Sequence, residues 1–169
     1  MNRTADVVIV GAGVIGSATA FELAKRGYKT LNIDKLPASG YGSTSNSCAI
    51  VRAHYSTWDG VAMAYEGFFY WDDWNKYLEV EDERGMAKYM KTGSIMFMLK
   101  GADHSKKSLN LFKEIGIEHE IWDLETLKKK MPIYSHDSYN GTSRPDEDDS
   151  FFDKSGDQIE GAVWTPGSG

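Results

Sequence analysis

The chain has 169 residues, of which 41% are hydrophobic and 26% charged, and its formal net charge is -6 at pH 7. This length and apolar content exclude a disordered tail, because such a chain can bury a core of its own. The basic residues are scattered, so we expect neither nucleic acid nor an anionic membrane surface as a partner.

The cysteine count and the hydropathy exclude further classes. The single cysteine, Cys48, excludes an internal disulfide framework, and no Cys/His spacing suggests a metal site. Cys48 is expected to be a small buried residue. The sequence has no secretory leader and no run of about eighteen apolar residues, so we expect no membrane span and a cytoplasmic protein.

The first elements along the chain form a compact pattern. Residues 6–10 are an apolar run typical of a parallel strand covered on both faces. Residues 14–26 carry small and apolar residues at every third position and are followed by Gly27, which is typical of a helix and its C-terminal glycine. Residues 29–34 predict a second strand, which completes a βαβ unit of about thirty residues.

The next segments predict a loop and an aromatic helix. Residues 37–47 are rich in Gly, Ser, Thr and Asn, as in a loop. Residues 59–78 have apolar positions at helical spacing, with Asp59 as the expected N-cap. The aromatic stripe between Tyr65 and Tyr77 is expected to lie in the core.

The rest of the chain alternates between strand and helix patterns. Residues 89–99 predict a strand, residues 105–115 a helix, and residues 117–123 an edge strand. Asp123 is the expected cap of a short helix that ends before Pro132. Residues 135–156 are polar and without periodicity, and a short strand and a turn close the chain.

The turn after the first strand carries the motif Gly11-Ala12-Gly13-Val14-Ile15-Gly16. The first glycine permits a tight turn, the second lets a pyrophosphate approach the backbone, and the third lets the helix pack closely on the sheet. Phosphates then bind the free N–H groups at the start of the helix. The strand and helix around the motif favour a dinucleotide site over a simple glycine-rich turn, with five contact residues in this turn: Gly11, Gly13, Val14, Ile15 and Gly16.

An acidic residue follows at the end of the second strand. Asp34 lies about twenty residues beyond the glycines, where a carboxylate accepts hydrogen bonds from ribose hydroxyls, and Lys35 is expected beside it. A 2'-phosphate would be repelled there, which disfavours NADP. The motif alone does not choose between FAD and NAD.

The loop after the second strand favours FAD. In a nicotinamide dehydrogenase the second strand usually leads through a short connection into the next helix, whereas "PASGYGSTSNSCAIVRAHY" is long and polar. Such a loop can lie along an extended cofactor and offer it backbone N–H and hydroxyl donors. The expected contacts are six consecutive residues: Gly42, Ser43, Thr44, Ser45, Asn46 and Ser47.

Five stretches resemble a known family: "DVVIVGAGVIGSATAFELAKRGYKTLNIDK", "GSTSNSCAIVRAHY", "TGSIMFML", "LFKEIGIEHEIWDLETLKKKMP" and "GAVWTPGSG". The chain resembles the FAD-dependent amino-acid oxidases of the D-amino-acid oxidase, glycine oxidase and sarcosine oxidase group, and most of all the sarcosine oxidase and dimethylglycine dehydrogenase branch. The resemblance implies FAD as cofactor and oxidation of a C–N bond in a small, often N-methylated amino acid by hydride transfer to the flavin.

The resemblance also implies an α/β fold: a Rossmann-like FAD-binding βαβ module and part of an α+β substrate domain with an antiparallel sheet. Residues 1–85 would then be the N-terminal part of the FAD-binding domain, and residues 86–169 the start of the substrate domain. The family needs a later segment, so we expect a longer enzyme or a complementary chain to supply it. The 169 residues alone are expected to be inactive.

Two residues after the loop are the expected catalytic residues. By the resemblance, Arg52 binds the substrate carboxylate, although an isolated arginine is also a common surface or salt-bridge residue. His54 takes a chemical role or is a packed, hydrogen-bonded residue. The chain departs from the branch at Ala49, where monomeric sarcosine oxidases carry a second basic residue. It also lacks the loop histidine that tethers flavin in some dimethylglycine enzymes, so covalent attachment through this loop is not expected.

Two other functions stay open on the sequence. A flavin-dependent 2-hydroxy-acid or glycerol-phosphate dehydrogenase uses the same front end. A non-catalytic NAD- or FAD-binding module or subunit would keep the fold and lack the chemistry.

Overall fold

The structure is a computed structural model that describes residues 4–101, 103–139, 144, 146–147 and 149–169. The chain divides into two compact units, Met1–Ile50 and Val51–Gly169. The predicted domain division at residue 85, which concerns the complete protein, stays a prediction.

The N-terminal unit is the predicted βαβ unit. It consists of strand β1 (Val7–Val10), helix α1 (Val14–Lys25) and strand β2 (Thr30–Ile33). The strands are parallel, in a register that runs from Val7 opposite Thr30 to Val10 opposite Ile33. Burial alternates along both strands, and Val8 and Val10 are 56% and 85% exposed. The expectation of a strand covered on both faces is therefore wrong for the described unit, which holds a single helix.

The second unit is built on a three-stranded antiparallel sheet. Its strands are β3 (Ser94–Met98), β4 (Glu120–Asp123) and β7 (Gly161–Thr165), in the order β3-β7-β4. Successive residues of β7 enter opposite cores, because side chains alternate along a strand. Ala162 belongs to one buried cluster with Trp122 and Leu127. Val163 belongs to another, with Phe112 and four further residues: Ala53, Val61, Phe68 and Ile117. The sheet is thus covered on both faces at its central strand.

The described residues of this unit form four α-helices: α2 (Trp58–Asp72), α3 (Trp74–Leu78), α4 (His104–Ile115) and α5 (Leu124–Lys130). Two predictions about the aromatic helix are wrong. Thr57 is its N-cap, since its side chain accepts a hydrogen bond from the N–H of Gly60, and Asp59 lies in the first turn. The predicted single helix is also interrupted at Asp73, whose backbone leaves helical geometry (φ -126°, ψ 56°). Asp123 caps α5 as predicted, with Oδ1 2.8 Å from the N of Thr126.

A second antiparallel pair was not predicted. It joins β5 (Asp137–Tyr139) to β6 (Lys154–Gln158), and a short 3-10 helix (Asp149–Phe152) precedes β6. All residues of β6 are exposed. A strand without a buried face has no alternating apolar pattern, so its sequence carries no strand signal.

Two expectations about burial also need correction. Phe68 is buried, but Phe69 and Tyr70 are 61% and 45% exposed, because α2 packs only one side of its aromatic stripe inward. Cys48 is exposed.

No helix among the described residues is long and apolar enough to cross a membrane. The same residues contain no group of three or more His, Cys, Asp and Glu side chains that could hold a metal.

Candidate functional site

The glycine motif joins β1 to α1 at the carboxyl ends of the two strands. Gly11 has φ +109°, a conformation that favours glycine, and its N–H donates to the carbonyl O of Ile33 at 2.7 Å. A Cβ at Gly16 would lie far inside van der Waals contact with the carbonyl O of Gly11. Close packing of the helix on the end of the strand therefore requires this glycine, as predicted.

Gly13 has a neighbour that the sequence did not indicate. It precedes α1 in extended geometry, and a Cβ placed on it would lie 2.9 Å from Oγ1 of Thr44. The same hydroxyl accepts a hydrogen bond from the N–H of Val14 at 2.9 Å. Part of the requirement for glycine at this position thus comes from the protein itself, and its predicted contact with a pyrophosphate stays a prediction.

The start of α1 has the properties of an anion site. Among the residues that the structure describes, the N–H groups of Gly13, Ile15 and Gly16 have no hydrogen-bond acceptor, and no side chain caps the helix beyond the Thr44 contact. Val14 and Ile15 are 52% and 81% exposed. Free N–H groups at the positive end of a helix suit phosphate oxygens, so this turn fits a dinucleotide.

Asp34 connects the glycine motif to the end of β2. Its Oδ2 accepts the N–H of Ala12 at 2.7 Å, and its Oδ1 accepts the N–H of Leu36 at 2.9 Å. These hydrogen bonds, that of Ala12 first, lower the pKa of the carboxyl below its ordinary value. An ionised carboxylate has about four acceptor positions, so Asp34 retains acceptor capacity beyond these N–H groups.

An open cleft lies beside these groups. It has a volume of about 490 Å³ and is lined by five residues: Val10, Gly11, Ile33, Asp34 and Lys35. This volume is in the range of small-molecule sites, and the cleft lies where ligands of open parallel sheets bind. The structure thus brings Lys35, as well as Asp34, to the cleft that the motif predicts.

The polar loop after β2 folds back onto the glycine motif. The N–H of Gly40 donates to the carbonyl O of Ala12 at 2.9 Å. Within the loop, the carbonyl O of Gly42 accepts from Oγ of Ser45 and Nδ2 of Asn46, both at 3.1 Å. Ser47 accepts the N–H of Ala49 on its hydroxyl at 3.1 Å.

The positions from 43 to 47 are exposed. Among these described residues, Thr44 is the one that hydrogen-bonds to the helix start, while Ser43 is an exposed residue of the same turn. The cofactor contacts of Gly42, Ser43, Ser45, Asn46 and Ser47 stay predictions.

The second candidate region, in the other unit, is the segment 51–55 that carries Arg52. The backbone of Val51 pairs with Gly169 in both directions, at 2.6 and 3.0 Å. Ala53 is completely buried, and the carbonyl O of Tyr55 accepts Oγ of Ser108 at 3.1 Å. Arg52 is exposed, and no acidic side chain in the described part of the chain forms a salt bridge with it. Arg52 is thus an exposed residue on a segment whose neighbouring residues are hydrogen-bonded or buried.

His54 is half-buried next to this arginine. Its Nε2 lies 3.0 Å from Oγ1 of Thr165, and its ring lies 5.5 Å from that of Phe112. Burial first, and the nearby charge of Arg52 second, lower the pKa of His54 from 6.5 to about 4. The imidazole is therefore neutral at neutral pH. These contacts are those of a packed, hydrogen-bonded histidine, and a direct chemical role for His54 stays a prediction.

Thr165 is a residue that sequence reasoning did not assign to the site. It is 1% exposed, and its Oγ1 also contacts Oγ of Ser94 at 2.9 Å and Oγ of Ser168 at 3.0 Å. Its link to His54 joins residues 111 positions apart in the chain, so no local pattern could have indicated it.

Comparison with known proteins agrees with this geometry. The chain is 31% identical over 147 residues to a putative sarcosine oxidase of Caenorhabditis elegans, covering 86% of this chain and 36% of that protein. It is 29% identical over 149 residues to monomeric sarcosine oxidase of Bacillus sp. (strain B-0618), covering 86% and 37%. The chain thus spans little more than a third of the length of these relatives.

Among solved structures, L-proline dehydrogenase from P. horikoshii has a similar fold. The TM-score is 0.71 at 19% sequence identity, and the match covers 100% of this chain and 38% of that one. This likeness confirms the predicted fold class, a Rossmann-like βαβ module with an antiparallel sheet. Residues 6–169 match the family described as FAD dependent oxidoreductase, from the glycine motif to the end of the chain. The chain belongs to the FAD dependent oxidoreductase family.

Proposed function

We propose that this chain is the N-terminal part of an FAD-dependent enzyme that oxidises the C–N bond of a small amino acid, N-methylated amino acids included. The observation that carries the proposal is the family match over residues 6–169, which includes both the glycine motif and Arg52. Relatives named sarcosine oxidases support the substrate class. The rest of the enzyme would come from a longer chain or from a complementary one.

The βαβ unit would hold the cofactor. The N–H groups at the start of α1 would bind the pyrophosphate, and Asp34 would accept the adenosine ribose hydroxyls on its free acceptor positions. The hydroxyl of Thr44 accepts a hydrogen bond from the N–H of Val14. In the complex with FAD, this hydroxyl would either contact a phosphate oxygen or be displaced by it. When bound, FAD supplies the acceptor for a hydride from the carbon next to the substrate nitrogen.

Arg52 would hold the substrate carboxylate. A guanidinium binds a carboxylate through two parallel hydrogen bonds, which fixes the orientation of the substrate. Its exposed position on a segment held by Val51, Ala53 and Tyr55 supports this role, because an ordered backbone limits the positions that the guanidinium can take.

The test is anaerobic reduction of the flavin by sarcosine, dimethylglycine and glycine, compared with amines that lack the carboxylate. Arg52→Ala should lower kcat/KM for the active amino acid by about thirty-fold to a thousand-fold, or about 2 to 4 kcal/mol, and Arg52→Lys should recover only part of it. The flavin spectrum should stay unchanged. Arg84→Ala is the matched control, since Arg84 is an exposed arginine of the same unit.

Two outcomes would contradict the proposal. If Arg52→Ala reduces its flavin as fast as the parent, the arginine does not bind the carboxylate. If 2-hydroxy acids or glycerol phosphate reduce the flavin and amino acids do not, the enzyme is the alternative dehydrogenase.

The cytoplasmic location also stays a proposal, which cell fractionation would test.

A further inference from the structure

Thr165 stands at the centre of a hydroxyl cluster, which we define as Ser94, Thr165 and Ser168. Thr165 and Ser168 are buried, and Ser94 is half-buried. Its Oγ1 lies within 3.0 Å of both serine hydroxyls and 3.3 Å from the carbonyl O of Ser94. Thr165 ends β7, the central strand of the sheet, where it lies opposite Ser94 of β3. The cluster is therefore built on a strand that is paired on both sides.

One contact leaves this cluster toward the candidate substrate site. Nε2 of His54 lies 3.0 Å from Oγ1 of Thr165. This side-chain contact joins the cluster to the segment 51–55. The other ties of that segment run through the backbone of Val51 and of Tyr55 or through the buried methyl of Ala53. The side chain of Arg52 forms no hydrogen bond or salt bridge among the described residues. The contacts of the neighbouring residues therefore fix the backbone position from which its side chain extends.

Hydrogen-bond capacity explains why this contact is specific. A threonine hydroxyl donates one hydrogen bond and accepts two, and a neutral imidazole nitrogen either donates or accepts. The one proton of the Thr165 hydroxyl can go to the carbonyl O of Ser94, which lies 3.3 Å away, and the Nε2–H of a neutral His54 can then donate to Oγ1 of Thr165. A buried polar group that loses its partner is costly, so the imidazole and the hydroxyl keep each other in place.

We propose that Thr165 is a positioning residue: through its hydrogen bond to His54, it holds the segment 51–55 in the conformation that presents Arg52 to a substrate carboxylate. This inference rests on the proposed function, because it assumes that Arg52 binds the carboxylate. Thr165 itself contacts neither the substrate nor the cofactor in this scheme, and acts only by fixing the orientation of the arginine.

The test uses the complete enzyme with sarcosine and with dimethylamine, which has the same methylated nitrogen and no carboxylate. Thr165→Val keeps the branched shape and removes the hydroxyl. It should raise KM for sarcosine about ten-fold, with kcat and flavin content within about two-fold of the parent. Thr165→Ser should restore KM, and reduction by dimethylamine should be unaffected. Ser94→Ala, which removes a hydroxyl of the same cluster that does not contact His54, is the matched control.

A double-mutant cycle separates this inference from the proposed function. With Arg52→Ala already present, Thr165→Val should raise KM no further, because the orientation of a missing guanidinium has no effect. If the two substitutions raise KM for sarcosine multiplicatively, Thr165 is only structural and the inference is wrong. The same holds if Ser94→Ala raises KM as much as Thr165→Val does. If Arg52→Ala alone leaves KM for sarcosine unchanged, the carboxylate role of Arg52 in the proposed function is wrong instead. Should Thr165→Val fail to fold, His54→Phe removes the same hydrogen bond from the other side and must give the same rise.

Discussion

Asp34 shows how one carboxylate serves both the local fold and the proposed cofactor site. Its two oxygens accept hydrogen bonds from the N–H groups of Ala12 and Leu36. This side chain therefore links the glycine motif to the end of β2. Loss of the carboxylate would remove this connection and, by the proposal, the ribose contact as well.

Asp34→Ala should therefore weaken FAD binding in the complete enzyme by about ten-fold or more, because charge-assisted hydrogen bonds are lost. The flavin-to-protein absorbance ratio after purification measures this. Asp6→Ala is the matched control, since Asp6 accepts the N–H of Lys29 at the same 2.7 Å but at the opposite end of the strands. Retention of FAD by Asp34→Ala at the parent's affinity would show that Asp34 does not bind the ribose.

His54 makes stability depend on pH in a defined direction. Burial first, and the charge of Arg52 second, disfavour the cation and lower the pKa of His54 from its ordinary 6.5 to about 4 in the folded protein. Between these values the unfolded chain binds a proton that the folded one does not, so the contribution of His54 to stability is complete above pH 6.5 and is lost as the pH falls toward 4.

The expected loss is on the order of 1 to 2 kcal/mol, reduced from the full shift because the ring is only partly buried and solvent screens its charge. Urea unfolding of the parent and of His54→Gln at pH 7 and pH 4.5 measures it, and the difference between them should shrink at the lower pH. His104→Gln, at an exposed position at the start of α4, controls for the substitution itself. An equal difference at both pH values would be inconsistent with a neutral buried His54.

At the scale of elements, the βαβ unit combines two reasons for glycine in one turn. Gly16 is required by the backbone of Gly11, which lies in the same unit, whereas Gly13 faces the hydroxyl of Thr44 from the following loop. The proposed pyrophosphate would occupy the same space in front of the helix start. The two explanations for Gly13 can be separated by removing the hydroxyl.

We expect Gly13→Ala to weaken FAD binding by about ten-fold or more, and to do so equally in a Thr44→Ala background, because the added methyl group would obstruct the phosphate. Dissociation constants from quenching of flavin fluorescence measure this, with circular dichroism as a check of folding. Thr44→Ala alone is the reference for the double variant. If the double variant binds FAD as tightly as Thr44→Ala, the obstruction is the hydroxyl and not the phosphate.

At the scale of the whole molecule, the two units each contain one part of the proposed enzyme. The N-terminal unit contains the glycine motif and Asp34, and the second unit contains Arg52 and the sheet that supports it. The relatives are almost three times as long as the matched region, which accounts for 36% and 37% of their length. We therefore expect the 169 residues to hold only part of the catalytic apparatus.

The 169-residue chain, purified alone and supplied with FAD, should show no flavin reduction by sarcosine, dimethylglycine or glycine. The complete enzyme should be yellow and should be reduced by at least one of them. Anaerobic spectra of both preparations test this. Substrate-dependent reduction by the short chain alone would show that residues 1–169 are sufficient for the chemistry.

Local features of this protein were readable from the sequence because their causes lie close together along the chain. The turn at Gly11, the close approach at Gly16, the acid at Asp34 and the cap at Asp123 each depend on partners within about thirty residues along the chain. The family resemblance rests on the same kind of contiguous stretches, and the match over residues 6–169 confirms it.

The tertiary structure alone decided the features whose partners are distant in sequence. The bond between His54 and Thr165 spans 111 residues, and the central place of β7 depends on pairing with strands on both sides. The exposure of Cys48 and of strand β6 likewise depends on which parts of the fold pack against them. Residue type and spacing predict local geometry, but long-range packing sets burial and the pairing of polar groups, and these determine the environment of Arg52.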